Sequence, residues 1–275
     1  MKHVLITGCS SGLGEAAVLR LAKAGYRVTG TVRRQPDADR LAAAAGPDAS
    51  WILMDVTDDR SVRDGLGGLV ERRGAPDVLV NNVGVPCLGS MEELRIPDFR
   101  AAIETNVIGA LRVYQAIAPA MRRRGTGQII NLSSSIGAAA LPIYGGYCAT
   151  KFALEAMSEA MRYELAPFGV TVNILQPGII ATPFRAKKQV QRDERIPANS
   201  PYGNRLDNPS PPDLLQRIST PDEVAAALQQ LIETPGGEFR RVCGRDAKAF
   251  LEARRTLDDG AFERLLTTRG YAAIP

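Results

Sequence analysis

The chain of 275 residues contains one histidine, one tryptophan and four cysteines, and only 5% of it is aromatic. A single histidine leaves any Ser-His-Asp or histidine-metal mechanism resting on His3, which stands at the head of an apolar run before any loop, where a structural role is expected. Cys9, Cys87, Cys148 and Cys243 are scattered and form no Cys-x-x-Cys pair. That argues against a zinc site or a disulfide framework and fits a reducing cytoplasm. No apolar run reaches the roughly 20 residues that cross a bilayer. The opening Met1–Gly8 is basic then apolar, but its apolar part is too short for a signal peptide and turns at once into a glycine loop. The net charge of +4 comes from short clusters (Arg33-Arg34, Arg122-Arg123-Arg124, Arg240-Arg241), not from one basic tract. No aromatic platform or motif accompanies them, so neither nucleic acid nor a membrane is expected as a partner.

What is present is alternation. Short Val/Ile/Leu-rich runs predict strands at Val4–Thr7, Arg27–Val32, Ser50–Met54, Val78–Asn81, Gln128–Leu132, Thr171–Leu175 and Phe239–Cys243. Between them, helical periodicity predicts helices near Leu13–Ala24, Ala38–Ala45, Asp59–Arg73, Pro97–Arg124 and Gly146–Phe168. The pattern is that of an α/β protein: a single Rossmann-type, doubly wound parallel sheet of about seven strands with helices on both faces. One domain over residues 1–275 is expected. Its interruption at about 184–218 is polar and rich in Pro, Asn and Arg, and is read as a substrate lid. Regular structure resumes at Thr220-Pro221-Asp222-Glu223, where Thr220 suits a helix cap and Pro221 a first helical position. A C-terminal helical extension follows at about 246–275.

The first strand runs into Thr7-Gly8-Cys9-Ser10-Ser11-Gly12-Leu13-Gly14 and then a helix. Glycines at 8, 12 and 14 permit a tight turn, close approach of backbone to ligand and close helix–strand packing. The helix N-terminus then offers free N–H groups and a positive dipole end to a pyrophosphate. No Gly-Lys-Ser/Thr ending follows, which excludes an ATPase-type loop. The second strand ends Thr31-Val32-Arg33-Arg34, without the carboxylate that would accept from a free ribose 2′-OH. Arg33 can pair with a 2′-phosphate, so NADP(H) is expected over NAD(H). Asp37 lies beyond Pro36, too far along to reverse that choice.

Tyr147 and Lys151 are four residues apart in a helical segment and share a face. A free tyrosine titrates near pKa 10, too high for a base at neutral pH, and a neighbouring ammonium, with the positive nicotinamide ring of an oxidised cofactor, is expected to lower it. Ser134, thirteen residues before Tyr147 and just past a strand, offers a hydroxyl to orient a substrate oxygen.

These elements together resemble the short-chain dehydrogenase/reductase family over roughly residues 3–183. The matching motifs are Thr7-Gly8-x-x-x-Gly12-x-Gly14, Asp55-Val56, Asn81-Asn82-Val83-Gly84, Asn106, Ser134, Tyr147-x-x-x-Lys151 and Pro177-Gly178-x-x-x-Thr182. The resemblance implies cofactor contacts from the glycine loop (Thr7, Gly8, Ser10, Ser11, Gly12, Leu13, Gly14), Arg33, Tyr147, Lys151, Pro177 and Gly178. It implies that Asp55 and Val56 bracket the adenine, that Asn82 and Gly84 line the cofactor near its ribose, and that Ile180 and Thr182 meet the nicotinamide amide. It makes Tyr147 general acid in reduction and general base in oxidation, and has Lys151 bind the nicotinamide ribose and depress the Tyr147 pKa. Ser134 orients the substrate oxygen, and Asn106 holds a water in a proton relay running from Lys151; without the resemblance, Asn106 reads as a satisfied polar residue inside a helix. Val83 stands where the family usually has alanine, adding volume but removing no hydrogen-bonding group.

Ser133 and Ser135 flank Ser134, and the family spacing selects Ser134. Tyr144 lies three residues before Tyr147 without a following Ala-Thr-Lys, and is read as pocket wall or packing. The tail, including Gly244-Arg245-Asp246-Ala247, resembles a branch acting on steroids, retinoids and other lipophilic ketones or alcohols. Lys187, Lys188, Arg192 and Arg195 keep an anionic substrate open. The resemblance also implies a homodimer or homotetramer through helices near 98–124 and 146–168. Two other classes remain: a cofactor-binding sensor or scaffold without turnover, and a methyltransferase on a similar sheet. The second leaves Tyr147, Lys151 and Arg33 without a purpose.

Overall fold

A computed structural model describes residues 1–184, 200–202 and 218–268. It is built on one seven-stranded parallel sheet: β1 (His3–Ile6), β2 (Arg27–Val32), β3 (Ala49–Leu53), β4 (Val78–Asn81), β5 (Gly127–Leu132), β6 (Val170–Pro177) and β7 (Arg240–Cys243). Their order across the sheet is β3-β2-β1-β4-β5-β6-β7. Strand residues alternate between two apolar layers, because successive side chains of a strand point to opposite faces. Val4, Ile6, Val78, Val80 and Ile130 join one core with Leu21 of α1 (Gly12–Lys23), Leu41 of α2 (Gln35–Ala45) and Leu228 of α7 (Pro221–Glu233). Leu5, Leu79 and Ile129 join the other with Leu66 of α3 (Asp59–Arg73), Ile117 of α5 (Gly109–Arg124) and Met161 of α6 (Gly145–Leu165). A doubly covered sheet explains the near-continuous apolar strands.

Two helix boundaries depart from the sequence expectation. Helix α2 begins at Gln35, not Ala38, because Pro36 sits in the first turn, where its missing N–H costs nothing. The expected helix Pro97–Arg124 is instead α4 (Ile96–Ile103), a π turn over Glu104–Ile108 and then α5. Gly109 closes that turn by donating to the Glu104 carbonyl. A Cβ on Gly109 would come within 2.8 Å of Val56 Cγ2, so glycine lets the helix approach the β3 end. Thr220 caps α7 in a reciprocal box with Glu223, as its sequence suggests.

Buried polar groups pin α6 to the sheet. Asn81 Nδ2 donates to Asn131 Oδ1 (2.8 Å), Asn131 Nδ2 to Ser158 Oγ (2.7 Å), and Ser158 Oγ to the Leu154 carbonyl (2.6 Å). His3 is structural: it is buried, its Nε2 bonds Thr29 Oγ1 at 2.8 Å, and burial lowers its pKa. The expected lid lies for the most part outside the described residues. Helices α8 (Arg245–Thr256) and α9 (Asp259–Thr268) form the described part of the C-terminal extension. No helix among the described residues is long and apolar enough to cross a membrane.

Candidate active site

The strand order reverses between β1 and β4, and a crevice opens at the carboxyl ends of a parallel sheet at such a point. Two side chains clasp it. Thr7 Oγ1 accepts from the backbone of Asn82 (3.0 Å) and Val83 (3.3 Å), while Asn82 Nδ2 donates to the carbonyls of Thr7 (2.9 Å) and Gly8 (3.0 Å). Helix α1 then starts directly against this clasp. A Cβ on Gly14 would collide with the Gly8 carbonyl and lie 2.7 Å from Asn82 Nδ2. Gly8 has φ +71° and packs on Val83, whose Cγ2 would be 2.7 Å from an added Cβ; Gly12 has φ +64° and faces Thr182. The glycine loop, the β4 end and the 177–182 segment thus meet.

That segment leaves β6 and is held on both sides. Gly178 N donates to the Cys243 carbonyl (2.9 Å), Ile179 N to Asp246 Oδ2 (2.6 Å) and Ala181 N to the Ser219 carbonyl (3.0 Å).

On the opposite wall, the chain enters α6 through Ile143, which has φ +68°. A β-branched residue there is strained by about 1–3 kcal/mol. Its carbonyl accepts from Gly89 N at 3.0 Å. Tyr147 follows in the first turn, and Lys151 one turn later; both are buried, at 9% and 3% exposure. Lys151 Nζ donates to the Leu132 carbonyl at 2.7 Å and stands 5.7 Å from the Tyr147 ring centroid. Burial pushes the Lys151 ammonium down to about 8, against the opposing pull of Glu155. Burial also pushes the Tyr147 phenol above its usual value, with Cys148 adding to the rise. The expected depression calls on an oxidised nicotinamide as well as the ammonium; in the protein alone, burial sets the direction.

Ser134 is the half-exposed member of its triplet, while Ser133 and Ser135 are buried. Its Oγ accepts from Ile136 N at 3.4 Å, capping a short 3₁₀ turn (Ser135–Gly137). One cavity of about 510 Å³ is lined by Gly8, Ser10, Ser11, Gly12, Leu13 and Gly14, by Arg33, Asp55 and Val56, by Asn82 and Gly84, and by Ser134, Tyr147, Lys151, Pro177, Gly178, Ile180 and Thr182. Tyr144 lines it too and also packs in the apolar group around Tyr147.

Two expected site residues do not line it. Thr7 is 1% exposed and spends its hydroxyl in the clasp, so it shapes the loop from behind. Asn106, also 1% exposed, lies at the centre of the π turn. Its Nδ2 donates to the Val85 carbonyl (2.9 Å) and Thr150 Oγ1 (3.1 Å), and its Oδ1 accepts from Val85 N (2.8 Å). With those groups engaged, the side chain braces Val85 against Thr150 of α6. Conversely, the cavity includes Phe184, Asp246 and Phe250, which the sequence reading did not assign to it. Phe184 sits in ring contact with Tyr147 (centroids 5.8 Å apart), and the Gly-Arg-Asp-Ala stretch was the one signal pointing at Asp246.

At the β2 end of the cavity, Arg33 is 73% exposed along its side chain, with Asp55 Oδ2 at 3.9 Å. Asp37 is tied to Arg34 (2.9 Å) and does not line the cavity.

A family model described as short chain dehydrogenase matches residues 2–193. The chain belongs to the short-chain dehydrogenase family. Human retinol dehydrogenase 8 is 33% identical over 254 residues, covering 87% of this chain and 80% of that protein. A short-chain dehydrogenase from Streptomyces avermitilis superposes with a TM-score of 0.80 at 32% identity, covering 97% of this chain and 95% of its own. A variant of actinorhodin polyketide ketoreductase, solved with NADPH, gives 0.76 at 30% identity, covering 90% and 97%. As a short-chain dehydrogenase the chain is an oxidoreductase of a family that uses NAD(P)(H).

The clasp makes Gly14 a sensitive position. Gly14→Ala is expected to force α1 off the β1 end and to lower stability by about 1–3 kcal/mol, the usual range for overpacking. Urea denaturation monitored by circular dichroism checks this; an unchanged midpoint would contradict the contact geometry.

Proposed function

We propose that this short-chain dehydrogenase interconverts a secondary or primary alcohol and its ketone or aldehyde with NADP(H), using Tyr147 as general acid and base. The observation that carries this reading is that Ser134, Tyr147 and Lys151 line the same cavity as the Gly8–Gly14 loop. The residues present fit a dinucleotide. The Gly8–Gly14 loop lines the cavity and α1 begins at Gly12, so the helix start can offer its N–H groups to a pyrophosphate, while glycines at 8 and 14 allow the close packing behind the loop. Ile180 and Thr182 line the same cavity as Tyr147, from the opposite wall, and would meet the nicotinamide amide there.

When bound, the cofactor supplies or accepts the hydride. The protein handles the proton and the orientation. Burial favours the protonated Tyr147, which donates its phenol proton to the carbonyl oxygen in reduction; in oxidation the phenolate takes the proton of the alcohol. Ser134 Oγ faces the cavity and holds that oxygen at the phenol. Lys151, fixed on the Leu132 carbonyl, meets the ribose hydroxyls; Asn106 braces Val85 and Thr150 behind it.

The 2′-phosphate falls to Arg33, since Arg34 is engaged by Asp37 and Arg40 by Glu15 (2.6 Å) and the Ser10 carbonyl (2.9 Å). The substrate end is apolar, with Ile136, Leu141, Tyr144, Phe184 and Phe250 grouped around Tyr147. That favours a lipophilic alcohol or carbonyl over an anionic one, in keeping with the retinol dehydrogenase relative; the four basic lid residues lie outside the described ones. The cytoplasmic location, the single domain over 1–275 and a homodimer or homotetramer through α5 and α6 complete the reading. The first is supported by four free thiols, three of them buried.

Three outcomes test it. Tyr147→Phe should lower NADPH-dependent reduction of a lipophilic ketone and aldehyde panel by about 10³-fold, within the range for losing a general acid. NADPH binding, followed by fluorescence, should persist; full turnover would sink the assignment. Arg33→Ala should raise the KM for NADPH about tenfold, from loss of a charge-assisted contact, and leave that for NADH unchanged. The pH profile follows from Lys151. Below about 8 its ammonium and the Tyr147 phenol are both protonated, and above about 8 the lysine loses its charge. Reduction (kcat/KM) should therefore be level towards acid and fall as pH rises through about 8. A rate still rising at that pH would contradict it.

A further inference from the structure

Among the described residues, four hydrogen bonds tie Gly178–Ala181 to other elements, and three are backbone to backbone: Gly178 N to the Cys243 carbonyl (2.9 Å), Ser219 N to the Ile179 carbonyl (3.0 Å) and Ala181 N to the Ser219 carbonyl (3.0 Å). The fourth uses a side chain, Asp246 Oδ2, which accepts from Ile179 N at 2.6 Å. Asp246 lies beyond the region matched by the family model, in the first turn of α8, and is 5% exposed.

Its surroundings are cut to fit a carboxylate. A Cβ on Gly178 would overlap both carboxylate oxygens, and one on Gly244 would lie 2.6 Å from Oδ1. Gly244 also has φ +103°, which bends β7 into α8 and delivers the acid to the segment. Oδ1 has no hydrogen-bond partner among the described residues. A buried carboxylate with one oxygen unpaired is costly, and such a group calls for a reason other than stability. Four residues on, along the same helix, Phe250 lines the cavity and packs in the apolar group around Tyr147. Asp246 lines the cavity as well.

We infer that Asp246 is a positioning residue for the cofactor: it latches the Pro177–Thr182 segment to α8, so that the segment and the Phe250 wall form one unit. The inference rests on the reading that this crevice takes NADP(H). It explains why the residue after Pro177 is a glycine, since the carboxylate occupies the place of its side chain. It also makes the C-terminal extension part of the cofactor site.

The test is a fluorescence titration of the full-length wild type, Asp246→Asn and Asp246→Ala with NADPH, with steady-state kinetics alongside. Asp246→Ala leaves Ile179 N without its acceptor, and its affinity for NADPH should fall about tenfold, as for loss of a hydrogen bond to a charged group. The KM for NADPH should rise in step while kcat at saturation stays within about twofold, the split expected when only binding geometry is lost. Asp246→Asn keeps an acceptor oxygen and should recover most of that affinity. Unchanged binding in Asp246→Ala, or an equal loss in both variants, overturns the latch. Should Asp246→Ala fail to fold, hydrogen exchange on the wild type decides: NADPH should protect peptides over 177–182 and 244–250 together, and protection confined to the first overturns the proposal. Wild type that does not bind NADPH overturns the cofactor reading itself, a failure visible before any substitution is compared.

Discussion

Between β1 and β4 the connections diverge to opposite faces of the sheet, and the protein must hold its two diverging chains together without a backbone ladder between them beyond the strand ends. Thr7 and Asn82 do this by exchanging bonds across the gap. Each such bond contributes only about 0.5–1.5 kcal/mol net, but together they fix the height at which α1 starts above the sheet. Everything on the crevice floor inherits that height. Gly8 and Gly14 have no room for a Cβ because the clasp sits behind them, and the free N–H groups of the α1 start are aimed by it. Thr7 is therefore as consequential as a residue that touches a ligand, although it is sealed from the cavity.

A second constraint works at the other wall, where burial opposes charge. Lys151 is almost wholly out of water, yet the proposed chemistry requires its ammonium. The Leu132 carbonyl gives it an acceptor, and Glu155 one turn along the helix gives it an opposing charge. Glu155 is itself held by Gln176 Nε2 (3.0 Å) and Arg240 Nε (2.8 Å), so the charge compensation reaches from α6 through β6 to β7. The balance still favours the neutral form enough to bring the lysine down to about 8. Tyr147, buried beside it, moves the opposite way for the same reason: the dry site disfavours whichever form carries charge. The strained backbone of Ile143 fits this picture, because it sets the first turn of α6 where that pair must stand.

Much of this frame was legible in the sequence because it is set by local pattern. Arg27–Val32, Val78–Asn81 and Asp59–Arg73 coincide with their expected bounds, each being an uninterrupted run closed by a turn or cap signal. The glycine loop and Tyr147/Lys151 were legible for a related reason: their spacing within one element carries the geometry. Contacts between distant elements were not. The π turn around Asn106 depends on Gly109 meeting Val56, fifty-three residues earlier, and no periodicity records such a meeting. The partners of Thr7 and Asn106 were hidden for the same reason, since a motif marks a position without saying which of its atoms are already engaged. Tyr147 shows the same gap in electrostatics, where burial is a tertiary quantity that the i, i+4 pairing with lysine does not reveal.

The β2 end of the crevice shows why composition alone would mislead there. Arg33, Arg34 and Arg40 gather near the β2 end, together with Glu15, Asp37 and Asp55, so the local sum of charge is close to neutral. Pairing, not the sum, decides what a ligand meets. Arg34 is committed to Asp37, and Arg40 lies across the glycine loop on Glu15 and the Ser10 carbonyl, while Asp55 is drawn into a turn by Thr57 N (2.9 Å) and Thr57 Oγ1 (2.8 Å). Arg33 is left facing the cavity with only a long contact to Asp55, the weakest of these pairs and the easiest for a phosphate to replace. Arg40, by bridging α2 to the loop, ties the place where Arg33 begins to the place where the pyrophosphate would lie. The glycine loop and the β2 end of the crevice are thereby kept in register by one side chain that does not itself line the cavity.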